Sequence, residues 1–272
     1  MKRSIIESIK SLPPLSKTIL QINQVTQDSG SGIAELVRVI EQDPMIVANL
    51  LKTANSPLYG FGKEIKSVTQ AVTLFGMKQT KSIALGYAVK KLLNVDMRPY
   101  GITSDKFAEI SALQATLITK WYNHIDKDLA QTLHLAAFLQ ETGKILIASD
   151  IIQEDEDISF ASEVAVSNNI AQVELSYVGV TTSEVTAAVF EHWGFGEGFI
   201  EMIRYADKPK IAPEDLQELS MALHIVKTAL PVNKPFSEVA INFALRKARD
   251  AGYDHEVLED VIDEMLDTME KA

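Results

Sequence analysis

Apolar residues recur at intervals of three and four positions along almost the whole chain, and this spacing constrains the fold more than any other feature. It places apolar side chains on one face of an α-helix, whereas a half-buried strand requires strict alternation. No convincing alternating run is present. Glycines fall between most of the periodic segments, where a left-handed residue can end a helix. The sequence therefore predicts an all-α protein, a multi-helix bundle with no significant β-sheet.

The predicted helices fall into three groups. We expect residues 1–100 to form an N-terminal helical lobe, residues 101–210 to form a second helical lobe, and residues 211–272 to add helices that pack on the same body. In the middle group the periodicity runs without a break through residues 127–150 and through residues 160–177, and we expect one helix from each.

Residues 43–60 form the most distinctive block of the sequence. Asp43 can cap a helix, and Pro44 suits the first helical position because its missing N–H would be unpaired there anyway. Pro57 ends the helix, since proline pushes the preceding residue out of helical geometry. The helix closes with Ala54, Asn55 and Ser56, and an aromatic–glycine pair follows at Tyr59 and Gly60.

The block resembles the HDOD domain, an all-helical relative of the HD phosphohydrolases. That family has an Asp-Pro helix ending in Ala-Asn-Ser, followed by an aromatic residue and glycine. Other family positions correspond to residues 12–15, Ser67, Ala71, Leu74 and Gly76. The resemblance covers about residues 10–210 and implies an HD-like helical lobe preceded by an N-terminal helical lobe. We expect Trp193, which ends the predicted helix 182–193, to anchor the core.

The resemblance also indicates where the metal ligands of an active HD hydrolase would stand. In those enzymes an adjacent His-Asp pair, a distant His before it and an Asp after it hold divalent metal, which activates water for attack on a phosphoester. A hydrophobic residue, a glycine and a basic residue follow the pair, and here that glycine is Gly143. The ligand positions of this family and its relatives are occupied in this chain by Ile110, Gln140, Glu141, Thr182, Ala206 and Asp207. Every imidazole that the motif would supply is missing.

The side chains at these positions that could still bind a metal allow two interpretations. Mg²⁺ can bind through one or two carboxylates plus substrate phosphate, so a site built from Glu141 and Asp207 is conceivable. Alternatively, Gln140 and Glu141 line or close the old pocket and are hydrogen-bonded internally. The five histidines include no pair three or four residues apart, and the chain has no cysteine. We therefore expect no catalytic residue, no bound metal and no cofactor.

The net charge of −11 is unevenly distributed. Residues 1–100 contain 13 basic and 7 acidic side chains, whereas residues 101–272 contain 13 basic and 30 acidic ones. The acidic part would repel phosphate backbones, which argues against general nucleic-acid binding. Four lysines could form a basic surface, either simply solvated or docking an acidic partner: Lys78, Lys81, Lys90 and Lys91. Without a secretion signal or membrane span, we expect a cytoplasmic protein.

Three functional hypotheses follow. The first, implied by the resemblance, is a non-catalytic HDOD-type regulatory protein of bacterial signal transduction that binds a protein partner or a small ligand. The second is a diverged metal-dependent phosphohydrolase that uses the residual carboxylates Glu141 and Asp207. The third is a sensor whose vacated metal pocket holds a nucleotide or another small molecule.

Overall fold

The computed structural model describes residues 1–28, 30–56, 63–92 and 96–270. In these residues every regular element is a helix, so the predicted all-α fold is confirmed. None of the helices in this part of the chain is both long enough and apolar enough to cross a bilayer. The chain divides into two compact units. The borders predicted at residues 100 and 210 stay predictions.

The smaller unit consists of residues 13–92 and 264–272. Its complete helices are α2 (Lys17–Gln27), α3 (Ile33–Ile40), α4 (Pro44–Ala54) and α5 (Val68–Leu92). The helices bury one apolar stripe each, and the fully buried side chains include Ile22, Leu36, Ile40, Leu50 and Val72. Gly76 interrupts α5 with φ 74°, a left-handed conformation that glycine adopts without steric cost.

Both ends of α4 are fixed by side chains. Asp43 Oδ1 accepts hydrogen bonds from the backbone N–H groups of Met45 and Ile46, at 3.0 and 3.2 Å. At the other end, Asn55 Nδ2 donates to the carbonyl oxygens of Leu51 and Ile65, and Asn55 Oδ1 accepts from Ile65 N at 2.8 Å. Asn55 thus ties the end of α4 to the returning chain.

The other motif positions of this block have simpler surroundings. Pro44 is the first residue of α4, Ala54 is buried as its last residue, and Ser56 is half-buried just beyond it. Pro57, which is predicted to end this helix, lies outside the described residues, as do Tyr59 and Gly60.

The larger unit consists of residues 1–12 and 93–263. Its helices are α1 (Arg3–Lys10), α6 (Ser104–Tyr122), α7 (Lys127–Leu139), α8 (Gly143–Gln153), α9 (Asp157–Val166), α10 (Ile170–Val178), α11 (Thr182–His192), α12 (Glu197–Arg204), α13 (Glu214–Ala229), α14 (Glu238–Asp250) and the first part of α15 (His255–Glu270), with 3₁₀ turns at Arg98–Tyr100 and Pro209–Ile211. Helices α6, α7, α8, α11 and α13 surround a core that buries Trp121, Leu133, Ile147 and Phe190 completely.

Helix α1 packs on α8 and α11 of this larger unit. Its Ile5 and Ile9 are buried, and the Ser4 hydroxyl donates a hydrogen bond to the buried Asp150 carboxylate. Lys2 Nζ lies 3.2 Å from the same carboxylate. The first residues of the chain are therefore held to α8 by apolar and charged contacts.

Two of the predicted helices are wrong, because the structure has two shorter helices in place of each one. Residues 127–150 form α7 and the start of α8, separated by a turn at residues 140–142. Residues 160–177 contain most of α9 and α10, separated at residues 167–169. The second break has a local cause, since Asn169 caps α10 by accepting a hydrogen bond from Gln172 N at 3.3 Å. The first break positions the candidate site.

Candidate functional site

The turn between α7 and α8 is held in place by α11. Thr186 Oγ1 accepts a hydrogen bond from Gly143 N at 2.8 Å and lies 3.0 Å from the carbonyl oxygen of Gln140. A Cβ at position 143 would lie 2.5 Å from Thr182 O and 2.8 Å from Thr186 N. Glycine is therefore required at position 143 for α8 to approach α11 this closely.

This turn directs Gln140 and Glu141 into the protein interior, where both side chains are buried. Gln140 Nε2 donates to Gln114 Oε1 at 2.9 Å. Gln114 Nε2 in turn donates to Leu230 O at 2.9 Å and to Glu141 Oε1 at 3.3 Å. The two residues that stand at the His-Asp positions are thus joined through one glutamine of α6.

Glu174, on α10, is the most heavily hydrogen-bonded carboxylate of the site. Its Oε1 accepts from Lys144 Nζ at 2.6 Å, from Thr182 Oγ1 at 2.6 Å and from the Tyr100 hydroxyl at 3.0 Å. Its Oε2 accepts from Thr182 N at 2.7 Å. Burial, followed by the negative charge of Glu174, raises the pKa of Tyr100 well above its ordinary value, so the phenol stays protonated and donates.

A second buried ion pair joins Lys227 of α13 to Asp207, at 2.7 Å. Lys227 Nζ also donates to Ser183 Oγ at 3.1 Å, and Asp207 Oδ2 accepts from Ser183 N at 3.1 Å. Burial alone would raise the pKa of Asp207, but the Lys227 ammonium holds it well below its usual range. Conversely, burial would lower the pKa of Lys227, but the charges of Asp207 and Glu141 keep it above its ordinary value. Both groups are charged at neutral pH.

Glu141 lies between the two lysines. Its Oε2 is 3.4 Å from Lys144 Nζ and 4.0 Å from Lys227 Nζ. This oxygen has no hydrogen-bond partner within the described part of the chain. We call the three carboxylates and two ammonium groups the ion-pair cluster: Glu141, Glu174, Asp207, Lys144 and Lys227. Counted as formal charges, the three carboxylates and two ammonium groups sum to −1.

Two of the six predicted ligand positions, Glu141 and Asp207, belong to this cluster. Thr182 is hydrogen-bonded to the cluster, and Gln140 is linked to Glu141 through Gln114. Ile110 is fully buried and contributes an apolar side chain. Ala206 contributes only its carbonyl oxygen, which accepts from His224 Nδ1 at 2.7 Å. Gly143 supports the turn beside the cluster. Trp193 is half-buried, and its ring makes an edge-type contact with Phe190.

Lys144, Lys227 and Glu174 are functional positions that no sequence motif predicted. The sequence does contain a signal for these residues, because each charged residue occupies a position in the apolar stripe of its helix. Lys227 follows Leu223 and precedes Leu230 at four- and three-residue spacing, and both leucines are fully buried. Glu174 likewise lies four residues before the buried Val178. A charged residue within such a stripe predicts a buried partner.

The donor set of the ion-pair cluster does not fit a divalent metal. Each carboxylate lies within 4.0 Å of a lysine ammonium group, so a metal ion here would face two fixed positive charges. Thr182 Oγ1 and both Glu174 oxygens are already hydrogen-bonded to neighbouring protein groups. Among residues 1–28, 30–56, 63–92 and 96–270, no group of three His, Cys, Asp or Glu side chains is arranged to hold a metal ion.

A cavity of about 380 Å³ opens beside the ion-pair cluster. All five cluster residues contribute to its inner wall. Its outer wall comes from the start of α10, from the loop between α13 and α14, and from α14 itself. The loop is anchored, since Asn233 Nδ2 donates to Val164 O at 2.6 Å and to Ser167 O at 3.3 Å. The cluster therefore faces a space that a small molecule could enter.

Comparison with known proteins identifies relatives of this chain. The sequence pattern of the HDOD domain matches residues 12–209. An uncharacterized protein of Treponema pallidum (strain Nichols) is 23% identical over 220 residues, which are 79% of this chain. The chain spans only 41% of the length of that curated relative.

Two solved structures have similar folds. A candidate phosphohydrolase from Shewanella amazonensis SB2B superimposes with a TM-score of 0.75 at 19% identity, covering 97% of this chain and 94% of that one. A candidate signal transduction protein from Marinobacter aquaeolei VT8 gives a TM-score of 0.74 at 22% identity, covering 100% of this chain and 61% of that one. At these identities the likeness concerns the fold alone.

Proposed function

The chain belongs to the HDOD domain family, and we propose that it is a non-catalytic regulatory protein of bacterial signal transduction. It acts in the cytoplasm by binding a protein partner or a small ligand. The observation that carries the proposal is the ion-pair cluster, in which Lys144 and Lys227 supply the positive charge that a divalent metal supplies in an HD hydrolase.

The charge and geometry of the cluster support binding over hydrolysis. Metal-assisted hydrolysis needs a Lewis acid with an open position for water. Lysine ammonium groups stabilise the carboxylates, but they have no open coordination position and cannot lower the pKa of a bound water as a metal does. Lys144 Nζ is moreover held by Glu174 at 2.6 Å and by Thr182 at 3.0 Å.

The alternative is a diverged phosphohydrolase that binds Mg²⁺ through Glu141 and Asp207. It would require Asp207 to release its present partners. Asp207 accepts from Lys227 at 2.7 Å and from Ser183 N at 3.1 Å, and separating this buried pair would leave charges without partners. This requirement favours the non-catalytic proposal.

A hydrolysis assay, in which chromatography separates each substrate from its products, tests the proposal. Purified protein is incubated with Mg²⁺ or Mn²⁺ and a panel of nucleotides and nucleotide diesters, beside the Glu141→Gln variant prepared in the same way. We expect the two proteins to give the same background rate. Turnover by the wild-type protein that the variant lacks would overturn the proposal and support the hydrolase.

A further inference from the structure

The outer wall of the cavity carries three basic side chains. Lys234 follows α13, and Arg246 and Lys247 are on α14, and all three line the cavity. We call these three residues the basic rim. Among the described residues, no carboxylate lies within ion-pair distance of any of them, whereas the lysines of the inner wall are both paired.

Lys247 is held in a fixed position within this rim. Its Nζ lies 2.7 Å from His224 Nε2. His224 Nδ1 donates to the carbonyl oxygen of Ala206 at 2.7 Å, so its Nε2 is the unprotonated nitrogen and accepts from the lysine. A lysine ammonium group has three donors, and this contact uses one. The remaining donors are available to a ligand in the cavity.

An anion bound at the basic rim would offset the repulsion between its positively charged side chains. Burial, and then the positive charges of Arg246 and Lys210, lower the pKa of Lys247. Like charges brought together disfavour the charged form, and an anion placed among them reverses that effect. Arginine is suited to this task because its planar guanidinium can bind two oxygens of a phosphate at once.

The cavity also has an apolar side. Phe243 lies on α14 one turn before Arg246, whose guanidinium carbon is 5.0 Å from the ring centroid. Val232 and Ala240, both buried, and Val239 line the same wall. A volume of about 380 Å³ is near the lower end of the range for small-molecule sites, about 300–1,000 Å³. The space suits a molecule no larger than a mononucleotide.

We propose that this cavity binds a small organic phosphate, with the phosphate at the basic rim and the organic part against Phe243. The inference deepens the proposed function and rests on it, because it assigns the ligand class of a binding protein. The paired lysines of the inner wall close the end of the cavity, so the phosphate binds at the rim and does not replace the carboxylates.

Calorimetric titration with AMP, GMP and inorganic pyrophosphate tests the inference, with adenosine as the uncharged comparison. The variants are Arg246→Ala, which removes an exposed rim residue, and Arg249→Ala as the matched control. Arg249 is also exposed on α14 but does not line this cavity. We expect at least one phosphate compound to bind and adenosine not to bind. Losing Arg246 should weaken binding about tenfold, the effect of one lost charged hydrogen bond, with Arg249→Ala unchanged.

Two results would overturn the inference: no heat from any of the three phosphate compounds at millimolar concentration, or equal weakening by Arg246→Ala and Arg249→Ala. Phosphate release measured in the same samples separates this failure from failure of the proposed function. Binding accompanied by release of phosphate from AMP or GMP would reject the non-catalytic role while retaining the site. Absence of both binding and release would reject the site alone.

Discussion

Replacing Lys227 with methionine removes one ammonium group from the ion-pair cluster and should strongly destabilise the larger unit. Lys227 Nζ lies 2.7 Å from Asp207, and the two side chains are only 11% and 7% exposed. At an effective dielectric constant of about 20, unit charges at this distance attract by about 6 kcal/mol, part of which is offset by desolvation. Removing one partner of a buried pair costs about 3–5 kcal/mol, and we expect a loss in this range.

Urea unfolding at pH 7, followed by tryptophan fluorescence, measures this loss. Both tryptophans, Trp121 and Trp193, belong to the larger unit and report on its unfolding. The matched control is Lys208→Met. Lys208 pairs with Glu184 at 3.4 Å, but the two side chains are 46% and 35% exposed. An exposed pair of this kind contributes less than about 1 kcal/mol, so the control should unfold almost as the wild type does.

A double-mutant cycle separates the ion pair from the loss of side-chain packing. Asp207→Asn alone should also destabilise the protein, because it leaves Lys227 without its main partner. The double variant should lose less than the sum of the two single losses, by about 1–3 kcal/mol. The reasoning is refuted if Lys227→Met costs no more than Lys208→Met, or if the two changes in the cycle are additive.

Three further predictions concern single positions. Gly143→Ala forces a Cβ to 2.5 Å from Thr182 O and should cost at least about 1–3 kcal/mol in urea unfolding; Gly198→Ala, which meets nothing within 4 Å, should be neutral or slightly stabilising, and equal effects would contradict the packing explanation. Burial lowers the pKa of His134 to about 4, so the unfolded chain, with a histidine pKa near 6.5, takes up the proton first as pH falls. The contribution of neutral His134 to the free energy of unfolding is therefore fully present above pH 6.5 and decreases by about 3 kcal/mol toward pH 4. His134→Gln should remove that decrease from the pH profile of stability, and an unchanged profile would contradict this role of His134. Asn55→Ala should lower the melting temperature by breaking contacts to Ile65 worth about 1–3 kcal/mol, whereas Asn49→Ala, which loses only a bond to Met45 O within α4, should lower it less; similar shifts would refute the bridging role.

The start of α4 could be predicted from the sequence because its cause is local. Asp43 and Pro44 determine the start of the helix through groups two and three residues away. The break between α7 and α8 could not be predicted in this way. The hydrogen bond that holds it comes from Thr186, 43 residues further along the chain than Gly143. An apolar pattern that continues through such a turn gives no indication of it.

The candidate site was predicted only in outline. The motif comparison located Gln140, Glu141, Thr182 and Asp207, which the structure brings into one region. It gave no indication of Lys144, Glu174 or Lys227, which complete the ion-pair cluster. Lys144 and Glu174 are separated by 30 residues, and Lys227 and Asp207 by 20, so no local pattern links either pair. The charged positions on the buried stripes of α10 and α13 are the signal that a closer reading of periodicity would use.

The central claim is that the ammonium groups of Lys144 and Lys227 take the place of a metal in this family member. Metal analysis by mass spectrometry tests it most directly, on protein incubated with Mn²⁺, Mg²⁺ or Zn²⁺ and then desalted. The account predicts no divalent metal above the level in a buffer control. A stoichiometric amount of metal that disappears in the Glu141→Gln and Asp207→Asn variants would contradict it.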